Sequence, residues 1–113
     1  MKISEVVDIL EADLYCGEDI LDLEVQSACG ADLMSDVLAF VKDKPVLITG
    51  LTNPQVVRTA DMMDIKCIVF VRGKTPDTGL IELGNSKGIA IVSTKFGMYS
   101  SCGRLYAAGI PGQ

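Results

Sequence analysis

Three short, uninterrupted apolar runs constrain the fold of this chain more than any other feature. They span 46–49, 67–71 and 89–92, with the sequences Val-Leu-Ile-Thr, Cys-Ile-Val-Phe-Val and Ile-Ala-Ile-Val. Apolar residues on both faces are typical of interior strands in a parallel sheet, because such a sheet is covered by helices on both sides. Parallel strands need crossover connections, so the segments between the runs are predicted to be helices. The pattern predicts an α/β fold.

The segments between and after the runs carry helix signals. Asn53 followed by Pro54 predicts a helix start, because an Asn side chain caps the first turn and a proline there lacks only an N–H that has no helical partner. A second helix is predicted over 76–87, and a last one after Ser93 or Thr94, either of which is suited to cap it.

The first third of the chain predicts smaller elements. Ser4 is expected to cap a short helix, and alternating apolar residues over 12–16 and 23–26 predict two short edge strands. A helix predicted over 33–41 has apolar residues on nearly every side. Two interpretations follow for it: a helix buried against the sheet, or one that packs on a second copy of the chain.

These elements add up to one domain over residues 1–113, because a chain of this length buries one core. The predicted fold class is a three-layer α/β/α arrangement around a mostly parallel sheet of about five strands. The composition, 49% hydrophobic and 22% charged, is that of a soluble globular domain. No apolar run reaches the length of a membrane span, and acids at 5 and 8 exclude a secretory h-region, so a cytoplasmic protein is expected.

The charge of the chain is unevenly distributed. Its net charge of -5 argues against phosphate-driven binding to nucleic acid. Residues 1–36 hold ten carboxylates and one lysine, a net -9, whereas residues 37–113 hold five carboxylates and nine bases, a net +4. We hypothesise that the acidic part uses its charge to hold the amino-terminal layer or a dimer mate, and that the basic part attracts an anionic ligand.

A candidate ligand site lies at the predicted carboxyl ends of the three apolar runs, where loops and helix N-termini of parallel sheets converge. Hydroxyls, backbone N–H groups and three cations there suit a small anion or a nucleotide phosphate. The candidate residues are Thr49, Gly50, Thr52, Asn53, Arg72, Gly73, Lys74, Thr94 and Lys95. The alternative is that Gly, Thr, Asn and Pro simply serve the strand-to-helix turns.

Two acids near the predicted 33–41 helix, Asp32 and Asp36, are one helical turn apart. They are expected to cap and solvate the helix start rather than to act as a catalytic pair. The chain has no His, which removes the usual general base, and Gly73-Lys74-Thr75 lacks the earlier glycine of a Walker A motif. Hydrolytic mechanisms therefore lose most of their support, and the chain is not expected to be an enzyme.

The four cysteines are far apart in sequence, without a CxxC pair. Lone cysteines in apolar stretches are typically small core residues, and no cofactor is expected. The alternative is an iron–sulfur cluster, whose ligands would be Cys16, Cys29, Cys67 and Cys102.

Three segments resemble the stand-alone DRTGG domain proteins: 32–40, 47–56 and 68–74. Where that family's motif has an Asp-Arg pair this chain has Thr52-Asn53, and where it has Thr-Gly-Gly this chain has Arg72-Gly73-Lys74. The family is similar to the N-terminal domain of HPr kinase/phosphatase and to modules of phosphotransacetylases and CBS-linked pyrophosphatases. The resemblance implies an α/β/α regulatory or assembly module, commonly a homodimer, without catalytic activity. Small members are often encoded beside iron-only hydrogenases and electron-transfer proteins.

Three functions are therefore considered. The favoured one is a regulatory domain that forms a homodimer and senses a small anionic or nucleotide ligand. The second is an iron–sulfur or redox partner of a hydrogenase or electron-transfer protein. The third, phosphoryl transfer, has the least support because no phosphate-binding motif or metal-binding carboxylate stands at the strand ends.

Overall fold

A five-stranded sheet with helices on both faces forms the protein in a computed structural model that describes residues 1–113. The helices are α1 (Ile3–Ile9), α2 (Met34–Phe40), α3 (Pro54–Met62), α4 (Thr78–Lys87) and α5 (Met98–Ala107). The strands are β1 (Asp13–Cys16), β2 (Ala28–Gly30), β3 (Val46–Thr49), β4 (Cys67–Phe70) and β5 (Ala90–Ser93). The sheet order is β1-β5-β4-β3-β2, with β1 antiparallel to β5 and every other pair parallel.

Each face of the sheet has its own core. All residues of β3, β4 and β5 are buried, as their uninterrupted apolar runs predict. Side chains alternate between the faces, so Leu47 and Ile68 contact the side that carries α2, α3 and α4, whereas Ile48 and Val69 contact the side that carries α1 and α5. This confirms the predicted three-layer α/β/α fold with a mostly parallel sheet. None of its helices has the length and apolarity needed to cross a bilayer.

The predicted strand over 23–26 is wrong. That segment makes only an isolated bridge between Lys2 and Glu24, and the second strand is β2, which begins two residues after the segment ends. Ala and Gly, which flank the cysteine of β2, are depleted in strands. The strand forms because β3 offers it a parallel ladder, which no local pattern shows.

The predicted cap of the first helix is also wrong. Ser4 lies inside α1, whose N-cap is Lys2, and the Glu5 carboxylate accepts a hydrogen bond from the Lys2 backbone N–H at 3.0 Å. The Ser4 N–H donates to the Leu21 carbonyl instead. Contacts with the following loop therefore decide where α1 begins.

The helix expected over 33–41 is α2, and its apolar residues divide into two sets. Met34 and Val37 are buried in the core, whereas Leu33 and Phe40 are 60% and 70% exposed. A fully buried helix is therefore excluded, and the exposed apolar side chains lack a partner within the chain.

Opposite charges do not hold the amino-terminal layer in place. Six ion pairs are present, and only Arg104–Glu11, at 3.9 Å, joins residues 1–36 to the rest of the chain. Helix α1 is anchored instead by Ile3, Val6 and Leu10, all fully buried. Apolar burial therefore supplies the attachment of the amino-terminal layer. A role of the acidic charge in holding a dimer mate stays a prediction.

Candidate functional site

The carboxyl ends of β3, β4 and β5 lie side by side at one edge of the sheet. Thr49 is paired in register with Phe70, and Phe70 with Ser93. The structure therefore brings the three predicted loops together. All nine candidate residues lie at or just after these strand ends: Thr49, Gly50, Thr52, Asn53, Arg72, Gly73, Lys74, Thr94 and Lys95.

The loop after β3 is held by Asp32. One oxygen of its carboxylate, Oδ1, accepts hydrogen bonds from the Gly50 N–H at 2.8 Å and from the Thr49 hydroxyl at 3.1 Å. The Thr49 oxygen in turn accepts from the Leu51 N–H at 3.1 Å. The sequence led us to expect that Asp32 caps α2. It does not, because the N-cap of α2 is Leu33. Asp32 fixes the first loop of the candidate site.

The start of α3 contains the next two candidates. Asn53 is the N-cap residue and Pro54 the first helical residue, as predicted, but the Asn53 side chain makes no capping hydrogen bond. Its Oδ1 is buried without a hydrogen-bond partner, and Thr52 is exposed. Neither side chain contacts the Arg72–Lys74 turn through a hydrogen bond or an ion pair.

A tight turn after β4 presents the central cations. The Lys74 N–H donates to the Val71 carbonyl at 3.2 Å, and the two residues between them, Arg72 and Gly73, have φ values of 62° and 71°. Two positive φ angles define a type I′ turn. The Lys74 ammonium donates to the Gly50 carbonyl at 2.7 Å, so this side chain bridges the loops after β3 and β4.

The loop after β5 supports the same turn from the other side. Its carbonyls accept from the N–H groups of Arg72 and Gly73, at 2.8 and 2.9 Å, and the Ser93 hydroxyl donates to the Lys74 carbonyl at 2.6 Å. The hydroxyl of Thr94 is buried and donates to the Leu10 carbonyl at 2.6 Å. This hydroxyl is thus used in an internal hydrogen bond, and a ligand contact by Thr94 stays a prediction.

Two cations at this edge have no partner. Arg72 and Lys95 are exposed and make no ion pair within the chain. The Arg72 side chain lies against Gly97, with its Cγ 3.9 Å from the position that a Cβ would occupy there. Gly97, rather than Ser93 or Thr94, is the N-cap of α5, and it offers no side-chain acceptor to the first-turn N–H groups. The edge therefore has a positive electrostatic character at the start of α5.

A cleft of about 400 Å³ opens beside this edge, between β1 and the loop after β5. Its lining includes three predicted residues, Gly73, Thr94 and Lys95, together with Thr75. It also includes four residues that sequence reasoning did not assign to a site: Glu11, Asp13, Tyr15 and Phe96. The antiparallel register of β1 on β5, which sets Asp13 opposite Ser93, brings them there. The alternating pattern over 12–16 indicated a strand but not its neighbour.

The four cysteines do not form one ligand set. Cys16 and Cys67 are buried in the cores on opposite faces of the sheet, while Cys29 and Cys102 line a groove of about 390 Å³ between β2 and α5. No group of three or more Cys, Asp or Glu side chains is arranged to hold a metal ion. Burial raises the pKa of all four thiols, and that of Cys67 to about 12. The fold therefore does not bring the four cysteines together as the single ligand set of the alternative interpretation. Association with hydrogenases or electron-transfer proteins stays a prediction.

The fold is similar to that of a solved regulatory region. The chain aligns, with a TM-score of 0.73 and 18% sequence identity, to the CBS and DRTGG domains of the regulatory region of Clostridium perfringens pyrophosphatase, crystallised in complex with its activator, diadenosine tetraphosphate. The alignment covers 97% of this chain and 47% of that one, so this chain spans about half of the pyrophosphatase region. At this identity the likeness shows the fold alone.

Comparison by sequence gives the family. No curated protein matches the chain. The family model of the DRTGG domain matches residues 5–108, which is almost the whole sequence. The predicted resemblance is confirmed, and the chain belongs to the DRTGG domain family.

Proposed function

We propose that this chain is a non-catalytic regulatory domain that binds a small anionic ligand, such as the phosphates of a nucleotide, at the carboxyl edge of β3, β4 and β5. The observation that carries the proposal is the backbone conformation of Arg72 together with its lack of an ion-pair partner. This residue occupies a type I′ turn with a φ of 62°, is exposed, and makes no ion pair.

The turn itself does not call for an arginine. A left-handed conformation costs an L-residue other than Gly, Asn or Asp roughly 1 kcal/mol, and Asn-Gly is the usual pair in a type I′ turn. An arginine at this position lowers stability, and its guanidinium has no ion pair within the chain to offset that cost. An anionic ligand gives it a partner, because the guanidinium offers a planar set of donors that matches a phosphate.

The surrounding groups favour the same ligand. Lys95 is a second unpaired cation, and the N–H groups in the first turn of α5 lack a side-chain cap. Lys74 donates only to a neutral carbonyl, that of Gly50, so a phosphate competes well for its ammonium. The Gly50 N–H also donates a hydrogen bond to the carboxylate of Asp32, which lies just before α2. A ligand that binds Lys74 is therefore connected to α2 through Gly50 and Asp32. A regulatory domain would use such a connection to pass the effect of the ligand to α2.

The family supports a regulatory role. The related DRTGG domain belongs to the regulatory region of a pyrophosphatase, and that region was crystallised with a dinucleotide activator. For this chain a nucleotide ligand is part of the proposal.

Titration of the chain with pyrophosphate and with ADP, by calorimetry and thermal unfolding, tests the site. A ligand at a hundred times its Kd should stabilise the fold by about 2.7 kcal/mol. Arg72→Ala should weaken binding about tenfold or more, because it removes a charge-assisted contact. The matched control is Arg58→Ala, which removes an exposed, unpaired arginine from α3 and should leave the Kd unchanged. Absence of binding by both anions, or an equal effect of the two variants, would contradict the proposal.

We further propose that the domain is a homodimer that associates through α2. Leu33 and Phe40 expose apolar surface there that no part of the chain covers. Sedimentation at micromolar concentration should show a dimer that Phe40→Ser dissociates. Tyr99→Ser, which removes a 92% exposed ring from α5 on the opposite face of the sheet, is the control and should stay dimeric. A wild-type monomer would exclude this assembly.

A further inference from the structure

The cleft beside Lys95 is lined by opposite charges that do not pair with each other. Glu11 and Asp13 line it together with Lys95, yet neither carboxylate lies within 4.0 Å of the Lys95 ammonium. The nearest cation to Glu11 is Arg104, at 3.9 Å, and Asp13 has no ion pair at all. The cleft thus holds acceptors and a donor that remain available to a third molecule.

The carboxylates restrict which anion the cleft accepts. Glu11 and Asp13 make a bare phosphate at Lys95 less favourable than a ligand that also carries hydrogen-bond donors, because like charges repel each other. A ligand that fits must present hydrogen-bond donors to the carboxylates and its anionic group to the lysine. Carboxylates accept only, so sugar hydroxyls satisfy them directly.

Aromatic surface completes the lining. Phe96 and the half-buried Tyr15 both face the cleft. The Arg104 guanidinium lies over the Phe96 ring, 3.9 Å from its centroid, and holds that ring in place. A flat aromatic heterocycle stacks well on such a surface. The volume of about 400 Å³ lies within the range of small-molecule sites.

We infer that this cleft binds the nucleoside of a ribonucleotide, with Glu11 and Asp13 accepting hydrogen bonds from the ribose hydroxyls and Phe96 contacting the base. The phosphates then lie across the neighbouring Gly73 toward Lys95 and Arg72. A carboxylate on a ribose diol is an arrangement that nucleotide sites use widely. The inference rests on the proposed anion site and adds to it the class of ligand.

The experiment compares pyrophosphate, ADP and 2′,3′-dideoxy-ADP on the full chain by calorimetry. ADP should bind about tenfold tighter than its dideoxy analogue, since the analogue leaves the carboxylates without donors. Asp13→Asn should remove most of that difference and leave pyrophosphate binding unchanged or tighter. Asp8→Asn, at an exposed acid on α1 outside the cleft, is the matched control and should keep the difference.

The outcomes separate this inference from the proposed function. If pyrophosphate binds and depends on Arg72, but ADP and its dideoxy analogue bind equally, the anion site stands and the ribose site is overturned. Failure of ADP to bind where pyrophosphate does, or an Asp13→Asn variant that keeps the difference, overturns it too. If no anion binds, the proposed anion site and the ribose site are both overturned. Backbone amide shifts at residues 11, 13 and 96 with ADP but not with pyrophosphate would support the ribose site independently.

Discussion

At the scale of single residues, one glycine decides how closely two strands approach. Gly17 follows β1 with a φ of 100°, and a Cβ added there would lie 2.5 Å from the Ala90 Cα at the start of β5. The sequence marks Gly17 only as the end of a strand. Its contact with Ala90 arises because β1 pairs with a strand more than seventy residues away.

Replacement of Gly17 by alanine should therefore destabilise the domain. The variant combines a strained backbone with a clash against main-chain atoms, and we expect a loss of about 3 kcal/mol in denaturant unfolding. Gly103→Ala should have the opposite sign and stabilise by up to about 1 kcal/mol, because that glycine lies inside α5 with open space around its Cα. Equal effects of the two variants would show that Gly17 tolerates a side chain.

At the scale of elements, Asp32 joins the segment before α2 to the loop after β3. The sequence pattern grouped it with Asp36 as a first-turn acid, but only Asp36 lies in the first turn of α2. The Asp32 carboxylate instead accepts from the Gly50 amide and the buried Thr49 hydroxyl. Its partners are therefore seventeen and eighteen residues away, beyond the reach of a local motif.

Asp32→Ala should lower the free energy of unfolding by about 1–2 kcal/mol, because it leaves two donors without their acceptor. Asp36→Ala removes the same side chain from a position without a hydrogen bond, and we expect a change within about 0.5 kcal/mol. Urea unfolding of both variants separates the two roles. A larger loss for Asp36→Ala would restore the helix-start interpretation.

At the scale of the whole molecule, the cysteines couple stability to alkaline pH. Burial raises the pKa of Cys67 from an ordinary value of 9.0 to about 12, and the other three thiols shift in the same direction. Well below pH 9 the thiols are protonated in both the folded and the unfolded chain and contribute no pH dependence. Above it the unfolded chain ionises first and binds fewer protons, so stability falls as pH rises.

Cys67 alone should account for a loss of up to about 4 kcal/mol between pH 9 and 12, from the size of its pKa shift. Unfolding free energies at pH 8, 9, 10 and 11 measure the slope. Cys67→Ala should make it shallower, whereas Val69→Ala, a truncation in the same core, should lower stability at every pH with the slope retained. Identical slopes in the two variants would contradict a buried thiol as the cause.

The interior of the sheet and its family could be predicted from the sequence. Strands β3, β4 and β5 are recognisable in the sequence as continuous apolar runs. If these strands are parallel, the segments between them must be crossover connections, which are usually helices. The polar loops that follow the runs then fall at one edge, so the meeting of Gly50, Arg72 and Lys95 follows from topology. The resemblance to the DRTGG family depends on the segments 32–40, 47–56 and 68–74, and the family model confirms it.

The edges of the sheet and the lining of the site were decided by tertiary structure. Strand β2 exists because β3 offers it a ladder, and Glu11 and Asp13 reach the cleft because β1 runs antiparallel to β5. Arg72 carries a positive φ because loops on either side fix its turn. The local sequence pattern predicts which segments are helices or strands and which of their faces are buried, because the spacing of apolar residues involves only neighbours within a few residues. The partner of an edge strand or a carboxylate depends on groups distant in sequence, and only the folded chain brings them together.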